Sequence, residues 1–273
     1  MAFKTLRNWV YSAAFWRGKS YYLSIGCIVK DEDEYLEEWI NYHLKIGVQH
    51  FFIYDNQSTK PVKQLMKELN LSQYVTVVPI AGEVKQLVAY TNCIKRFRII
   101  SRWIAFIDVD EFIVPKLTHG NLPALLKEYE AYGGLAINWQ MFGSAGHVKR
   151  TGKPVVESFL QRAEKDFHIN RHVKSIVQPV HVKSVHDPHS FIYRAPYYAV
   201  NENFNRVVDA FSDPSVDKVQ INHYYCKSFD QFQDKMKRGY SDRKVERTID
   251  RFYYHDTDTN EVEDISALEI ARS

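Results

Sequence analysis

Residues 23–47 read LSIGCIVKDEDEYLEEWINYHLKIG, and the period of their apolar residues changes at Lys30. Residues 23–29 form a short apolar run, the pattern of a buried strand. Asp31, Glu32, Asp33 and Glu34 follow, and acidic side chains suit the first turn of a helix, where free N–H groups leave partial positive charge. Leu36, Trp39, Ile40, His43 and Leu44 then recur at helical spacing, and Gly47 can close the helix. A buried strand that feeds an amphipathic helix through a polar turn is the repeating unit of a parallel α/β sheet.

The unit recurs downstream. Residues 51–54 read as a second strand ending in Asp55-Asn56-Gln57-Ser58, a turn-rich cluster. Val62, Leu65, Met66 and Leu69 mark a second helix, residues 75–80 a third strand, and Tyr90, Cys93, Ile94, Phe97 and Ile100 a third helix. Residues 103–107 are a fourth strand running into Asp108-Val109-Asp110-Glu111-Phe112, with a helix through Leu122, Leu125, Leu126 and Tyr129 and a strand at 135–139 beyond it. Strands alternating with amphipathic helices predict a mostly parallel, Rossmann-like sheet with right-handed crossovers. Ligands in such sheets sit at the carboxyl ends of the strands. Three polar clusters fall there: Lys30-Asp31-Glu32, Asp55-Asn56-Gln57-Ser58 and Asp108-Val109-Asp110.

From residue 145 the crossover rhythm is lost. Short β segments are expected at 155–160, 175–180, 190–193 and 218–221, a smaller mixed β region beside the main sheet. Phe229, Phe232 and Met236 predict a helix ending at Gly239, and residues 257–273 read as an acidic, peripheral tail. The expected division is an arm at 1–20, a single α/β domain at 21–256 and that tail.

A chain of 273 residues that is 45% hydrophobic can bury a large core. A net charge of +3 without a concentrated basic stripe argues against nucleic acid as a partner. The abundant aromatic residues can pack on sugar faces but also fill cores. Cys27, Cys93 and Cys226 are odd in number and far apart, which fits a reducing cytoplasm rather than a disulfide framework or zinc knuckle. The first 20 residues carry Lys4, Arg7, Arg17 and Lys19 among Phe3, Trp9, Tyr11, Phe15 and Trp16, with no acid. That arm either packs on the domain or lies in a membrane interface, which would place the protein at the inner face of the membrane.

Asp108-x-Asp110 carries the sharpest chemical signal. Two carboxylates one residue apart at the end of a buried strand can converge on one hard cation. A divalent ion there can offset charge building on a leaving phosphate. The apolar flanks of WIAFIDVDEFIVP, residues 103–115, favour this over a solvated turn. Asp55 and Asn56 can bind base and ribose, or can form an Asx-turn between strand and helix. His223, in NHYYCKS at 222–228, can supply a third metal ligand or can be a core histidine; His186 is the other candidate. Lys227 can meet phosphate as a point charge.

Four segments together resemble glycosyltransferase family 92 and its bacterial family 2-like relatives: CIVKDEDEYLEEWINYHLKIGVQHFFIYDNQST at 27–59, WIAFIDVDEFIVP, INWQMFGSAG at 137–146, and INHYYCKSFDQFQDKMKRG at 221–239. Asp31 departs from the pattern, standing where the family usually has Asn. The resemblance implies a GT-A fold, a UDP-sugar donor, Mn²⁺ or Mg²⁺, and transfer of a hexose, often galactose, with inversion onto a glycan or lipid-linked glycan in cell-surface polysaccharide or lipopolysaccharide synthesis. By its motifs, Lys30, Asp55 and Asn56 would line the nucleotide pocket with Gln86 and Tyr90 beside it. Asp108 would lie near ribose and metal, Asp110 would bind metal directly, His223 would complete that site, and Lys227 would touch phosphate. Trp139, Phe142 and Gly143 would shape the acceptor floor. Inversion needs a base at the acceptor hydroxyl. Glu157 is the candidate, Asp187 the second, with a plain surface carboxylate as the alternative for Glu157. Two rival functions stay beside this one: an Asp-x-Asp phosphotransferase, disfavoured because its acidic pair would follow the first strand, and a non-catalytic carbohydrate-binding relative.

Overall fold

A computed structural model describes residues 20–273. The arm expected at 1–20 therefore lies, but for Ser20, outside the described residues.

The first half follows the predicted alternation. Strand β1 (Tyr21–Val29) leads into α1 (Asp33–Lys45), β2 (His50–Asp55), α2 (Val62–Glu68), β3 (Val75–Pro79), α3 (Gln86–Phe97) and β4 (Ser101–Phe106). β1 pairs in parallel with β2 and with β4, and β2 with β3. The strands alternate faces, so Leu23, Ile25, Cys27, Phe51 and Ile53 join Leu36, Trp39 and Ile40 of α1 in one core cluster. Phe52, Tyr54 and Phe106 join Tyr90, Cys93 and Phe97 of α3 in another, with Phe52 and Phe97 stacked at 3.8 Å. Gly26 lets α3 approach, because a Cβ there would stand 2.9 Å from Cys93 Sγ. Gly47 ends the turn after α1 at φ +98°, where a side chain would be strained.

After the acidic box the chain forms β5 (Glu111–Pro115), a strand that periodicity did not separate from β4, then α4 (Leu122–Leu126) and β6 (Gly134–Met141). Trp39 Nε1 donates to the Glu111 carbonyl at 2.9 Å and Tyr42 Oη to the Ile113 carbonyl at 3.1 Å, so α1 pins the segment that follows the acids.

The second half is built from short pieces. They are α5 (Val155–Ser158), β7 (Gln161–Arg162), β8 (Val173–Val177), β9 (Val182–Val185), β10 (Phe191–Tyr193), β11 (Ala199–Val200), β12 (Arg206–Val207), β13 (Val219–His223), α6 (Phe229–Arg238), α7 (Asp250–Asp256), β14 (Val262–Glu263) and α8 (Ser266–Arg272). β8 inserts antiparallel between β4 and β6, extending the main sheet to the order β12-β11-β6-β8-β4-β1-β2-β3. β13 pairs antiparallel with β5 and parallel with β6. The result is α/β, a mostly parallel sheet with a smaller mixed β region, as expected.

Two expectations fail. Residues 155–160 are not a strand: Pro154 and the Glu38 carboxylate, which accepts from Val155 N at 2.7 Å and Val156 N at 3.0 Å, start a helical turn instead. The 257–273 segment is acidic but not peripheral. β14 pairs with β7, Ala267 and Thr259 are buried, and Asp264 receives Arg162 Nε and Gln220 Nε2, each at 3.0 Å. The three cysteines are free and buried. Among the described residues no helix is long and apolar enough to cross a membrane.

Candidate active site

The carboxyl ends of β1, β2 and β4 open onto a cavity of about 580 Å³. The parallel register lines these ends up: Val29 sits opposite Asp55, and Asp55 opposite Pro79. The first half supplies Lys30, Glu32, Asn56, Gln86, Asp108 and Asp110 to the wall, and the second half Trp139, Lys174, His189, His223, Tyr225, Lys235 and residues 238–247.

Asp108 is held at both oxygens. Gln86 Nε2 donates to Oδ1 at 3.0 Å, and Lys174 Nζ to Oδ2 at 2.8 Å. Lys174 is 1% exposed and also 3.7 Å from Glu111. Burial works against its charge, but Asp108 and Glu111 outweigh burial and hold its pKa well above the usual lysine range. Glu111 is fully buried and accepts from Asp108 N at 2.9 Å. Burial pushes its carboxyl up, and Asp108 and Asp110 add to the rise against Lys174.

Asp110 faces the other way. Its Oδ2 accepts from Lys235 Nζ at 2.5 Å and lies 3.6 Å from His223 Nε2. Burial alone would raise its pKa, but Lys235, then His223 and Lys227, hold it well below the carboxylate range. His223 comes to Asp110 through the β5–β13 pairing, which sets it opposite Glu111. Burial lowers its pKa despite Asp110, a shift toward the neutral imidazole, the form that ligates metals.

Among the described residues no group of three or more His, Cys, Asp or Glu side chains is placed to form a metal cage. The pair present is Asp110 and His223. A carboxylate and a neutral imidazole with substrate phosphates completing the shell suit Mg²⁺ or Mn²⁺. That donor set fits a divalent cation once Lys235 leaves the carboxylate.

Of the residues named from sequence, Lys30, Asn56, Gln86, Asp108, Asp110, His223 and Trp139 meet at the cavity. Asn56 spends its amide protons on the Ile80 and Gly82 carbonyls, so its oxygen is what it offers a ligand. Tyr90 is buried behind Gln86, which donates to its hydroxyl at 3.1 Å. Lys227 is also set back, 4.2 Å from the Tyr35 ring, and burial pushes its pKa down to about 8. Asp55 does not reach the cavity. Its carboxylate accepts from Ser58 N and Val62 N, the Asx-turn alternative. Asp31 holds φ +52° and accepts from Thr59 N. Asn and Asp both tolerate that conformation, which accounts for the exchange at this position.

Neither candidate base is in the cavity wall. Glu157 is on α5, 3.7 Å from Lys153 and Arg272, and Asp187 accepts from His189 N, Ser190 N and Ser190 Oγ. His186 is outside the wall too, and Phe142 and Gly143 lie beneath it, packed on Tyr224 and Asn260.

Sequence reasoning missed Lys174 and Lys235. The signal for Lys174 was a charge at the second position of the strand VKSIV, where a buried ammonium needs a partner. Lys235 shares the buried face of α6 with Gln231 and Phe232, at i+4 and i+3 from them. Residues 238–247 were also missed. Arg238 reaches Glu32 at 3.1 Å, and Ser241 Oγ donates to Gln86 Oε1 at 3.2 Å, which ties this wall to both sides of the sheet edge.

A family model described as glycosyltransferase family 92 matches residues 20–256. A glycosyltransferase family 92 protein of Oryza sativa subsp. japonica is 29% identical over 81% of this chain and 36% of its own length. A galactan beta-1,4-galactosyltransferase of Arabidopsis thaliana is 30% identical over 36% of this chain and 21% of its own. The chain thus spans little more than a third of the rice relative. Among solved structures, S. aureus TarS 1-349 in complex with UDP-GlcNAc is 14% identical with a TM-score of 0.41, over 71% of this chain and 62% of that chain.

Proposed function

The chain belongs to glycosyltransferase family 92, and from that membership we propose that it moves a hexose, galactose by family analogy, from a UDP-sugar to an acceptor glycan with inversion. The observation that carries the proposal is one cavity at the carboxyl ends of the strands that is lined by the Asp110–His223 pair together with Lys30, Arg238 and Arg247. The pair suits a divalent ion, Mn²⁺ or Mg²⁺, and the cations suit a diphosphate.

Each group has a part to play. Asn56 and Gln86 border the nucleotide end of the cavity. Asp108, fixed by Gln86 and Lys174, is a preset acceptor for ribose hydroxyls. A divalent ion on Asp110 and His223 would offset charge on the leaving diphosphate. Trp139 lines the cavity with its ring packed on His172, His189 and His223, and we assign it to the sugar end, where the edge of an aromatic ring can border a hexose. His189 donates from Nδ1 to the Val173 carbonyl at 2.9 Å, so its other ring nitrogen is an acceptor. Burial lowers its pKa to about 3, which suits it to receive a hydrogen bond rather than to take a proton. Neither Glu157 nor Asp187 lines the cavity, and we propose that the base is one of the residues that do.

The pathway we propose is cell-surface polysaccharide or lipopolysaccharide synthesis, in the cytoplasm at the inner membrane face, with residues 1–19 as the contact. Vesicle sedimentation of the full chain against a chain lacking those residues tests that placement. The reaction is tested by a screen of UDP-sugars for slow donor hydrolysis with Mn²⁺ and with chelator. We expect one sugar to be hydrolysed only with metal. Absence of UDP binding by calorimetry, together with no hydrolysis, sinks the donor reading.

A further inference from the structure

Asp108 and Asp110 each hold a lysine, and the two lysines are placed differently. Lys174 reaches the cavity wall from a central strand at 1% exposure and is shared between two carboxylates, Asp108 at 2.8 Å and Glu111 at 3.7 Å. Lys235 lines the cavity from α6. Its Nζ donates to Asp110 Oδ2 and, at 3.0 Å, to the Tyr225 carbonyl, and it lies 4.0 Å from the Tyr225 ring centre. The helix that carries it is fixed by a capping box between Ser228 and Gln231, and Gln231 Nε2 donates to Tyr35 Oη of α1 at 3.0 Å. The helix is thus set, while the lysine stem has several rotatable bonds inside an open cavity.

The oxygen that Lys235 occupies is the one nearest His223 Nε2. An ammonium and a divalent cation repel and cannot both take it. We propose that Lys235 is a built-in counter-ion that holds the cation position of Asp110 in the donor-free protein and gives it up when a metal–nucleotide complex enters. The exchange is balanced in charge. The dication replaces the ammonium on Asp110, and the ammonium turns to the diphosphate oxygens that arrive with it. Metal therefore binds with the nucleotide rather than ahead of it, and the acidic pair is never left bare to repel itself. This inference rests on the donor reading for its second step only.

The test is Mn²⁺ binding followed by electron paramagnetic resonance, without nucleotide and without turnover. Lys235→Met keeps the stem against Tyr225 and removes the charge. It is expected to bind Mn²⁺ about tenfold or more tighter than the unmodified protein, since close charge pairs couple by more than one decade of affinity. Adding Asp110→Asn to that variant should erase the gain, and Lys235→Arg should leave affinity as it was. Equal or weaker Mn²⁺ affinity in Lys235→Met, or in Lys235→Gln should the Met variant not fold, overturns the inference. UDP binding by calorimetry is read separately. A gain in Mn²⁺ affinity without UDP binding keeps the counter-ion and removes the donor reading. UDP binding with no gain does the reverse.

Discussion

Residues 21–141 bring the carboxylates of Asp108 and Asp110 to the cavity wall with Glu111 buried nearby, and residues 142–273 bring the groups that meet them, Lys174, His223 and Lys235. The two regions share their apolar clusters but differ in what is added to that packing. In the first, regular elements bury apolar faces in two clusters on either side of the sheet. In the second, strands of two to five residues are stapled by side chains to backbone: Glu202 alone accepts from Ser215 Oγ, Asp217 N, Lys218 N and Val219 N. The difference teaches that the site is a seam. Its geometry depends on a sheet edge and on a loop-rich region that packs on the same apolar clusters and is held further by charge and hydrogen bonds.

Breaking the seam at its centre should have the largest effect. Asp110→Asn removes the carboxylate shared by Lys235 and His223 while keeping its shape. We expect donor turnover to fall by about 10²–10³-fold, the range for losing a preset electrostatic partner of the transition state. UDP binding in chelator should change little. Turnover within a few-fold of the unmodified protein would show that Asp110 is not the point where the two regions act together.

The same contrast explains what could be read in the sequence. β1, β2 and β4 lie close to the predicted segments because a buried strand must be apolar along its length, a local property. Asp108 and Asp110 were legible for the same reason, since the strand before them says where they stand. Residues 155–160 were misread because Val155, Val156 and Phe159 suit a strand, and only Glu38, more than a hundred positions away, makes the turn helical. Asp55 shows the limit at a single residue. Its composition fits a ligand or an Asx-turn equally, and the Ser58 and Val62 amides decide it. Lys174 and Lys235 were missed because each is recognisable only through a partner brought near by tertiary pairing.

A second test sharpens the contrast in stability. Glu202 is 1% exposed, and Glu202→Gln turns one acceptor oxygen into an amide facing backbone donors. The cost is expected to be roughly 2–3 kcal/mol, that of leaving buried donors without a charged acceptor. A volume-conserving change in the apolar first half, Leu36→Met, should cost less than about 1.5 kcal/mol. Urea denaturation measures both. If Leu36→Met proves the more damaging, the second region does not depend on its polar staples in the way proposed.

The smallest effect should come from acid, and it probes the first region alone. His43 is buried in α1 between Trp39 and Phe112, with Nδ1 donating to the Trp39 carbonyl at 2.8 Å. Burial lowers its pKa to about 3, from an unfolded value of about 6.5. Between those values the unfolded chain binds the proton and the folded chain does not, so stability is full above about pH 6.5 and falls as pH drops toward 3. One such histidine removes about 1.4 kcal/mol by pH 5.5, one unit below its unfolded value. His189 and His255 are also held near 3 by burial, but both stand beside the cavity or its wall, where bound ligand changes their surroundings. His43 is remote from ligand. His43→Gln should therefore flatten the loss between pH 6.5 and 5.5 by about 1 kcal/mol, the rest of the ~1.4 kcal/mol being lost already by pH 6.5, with or without UDP. A pH slope that stays as steep in the variant would mean that the burial of His43 does not set the loss in acid.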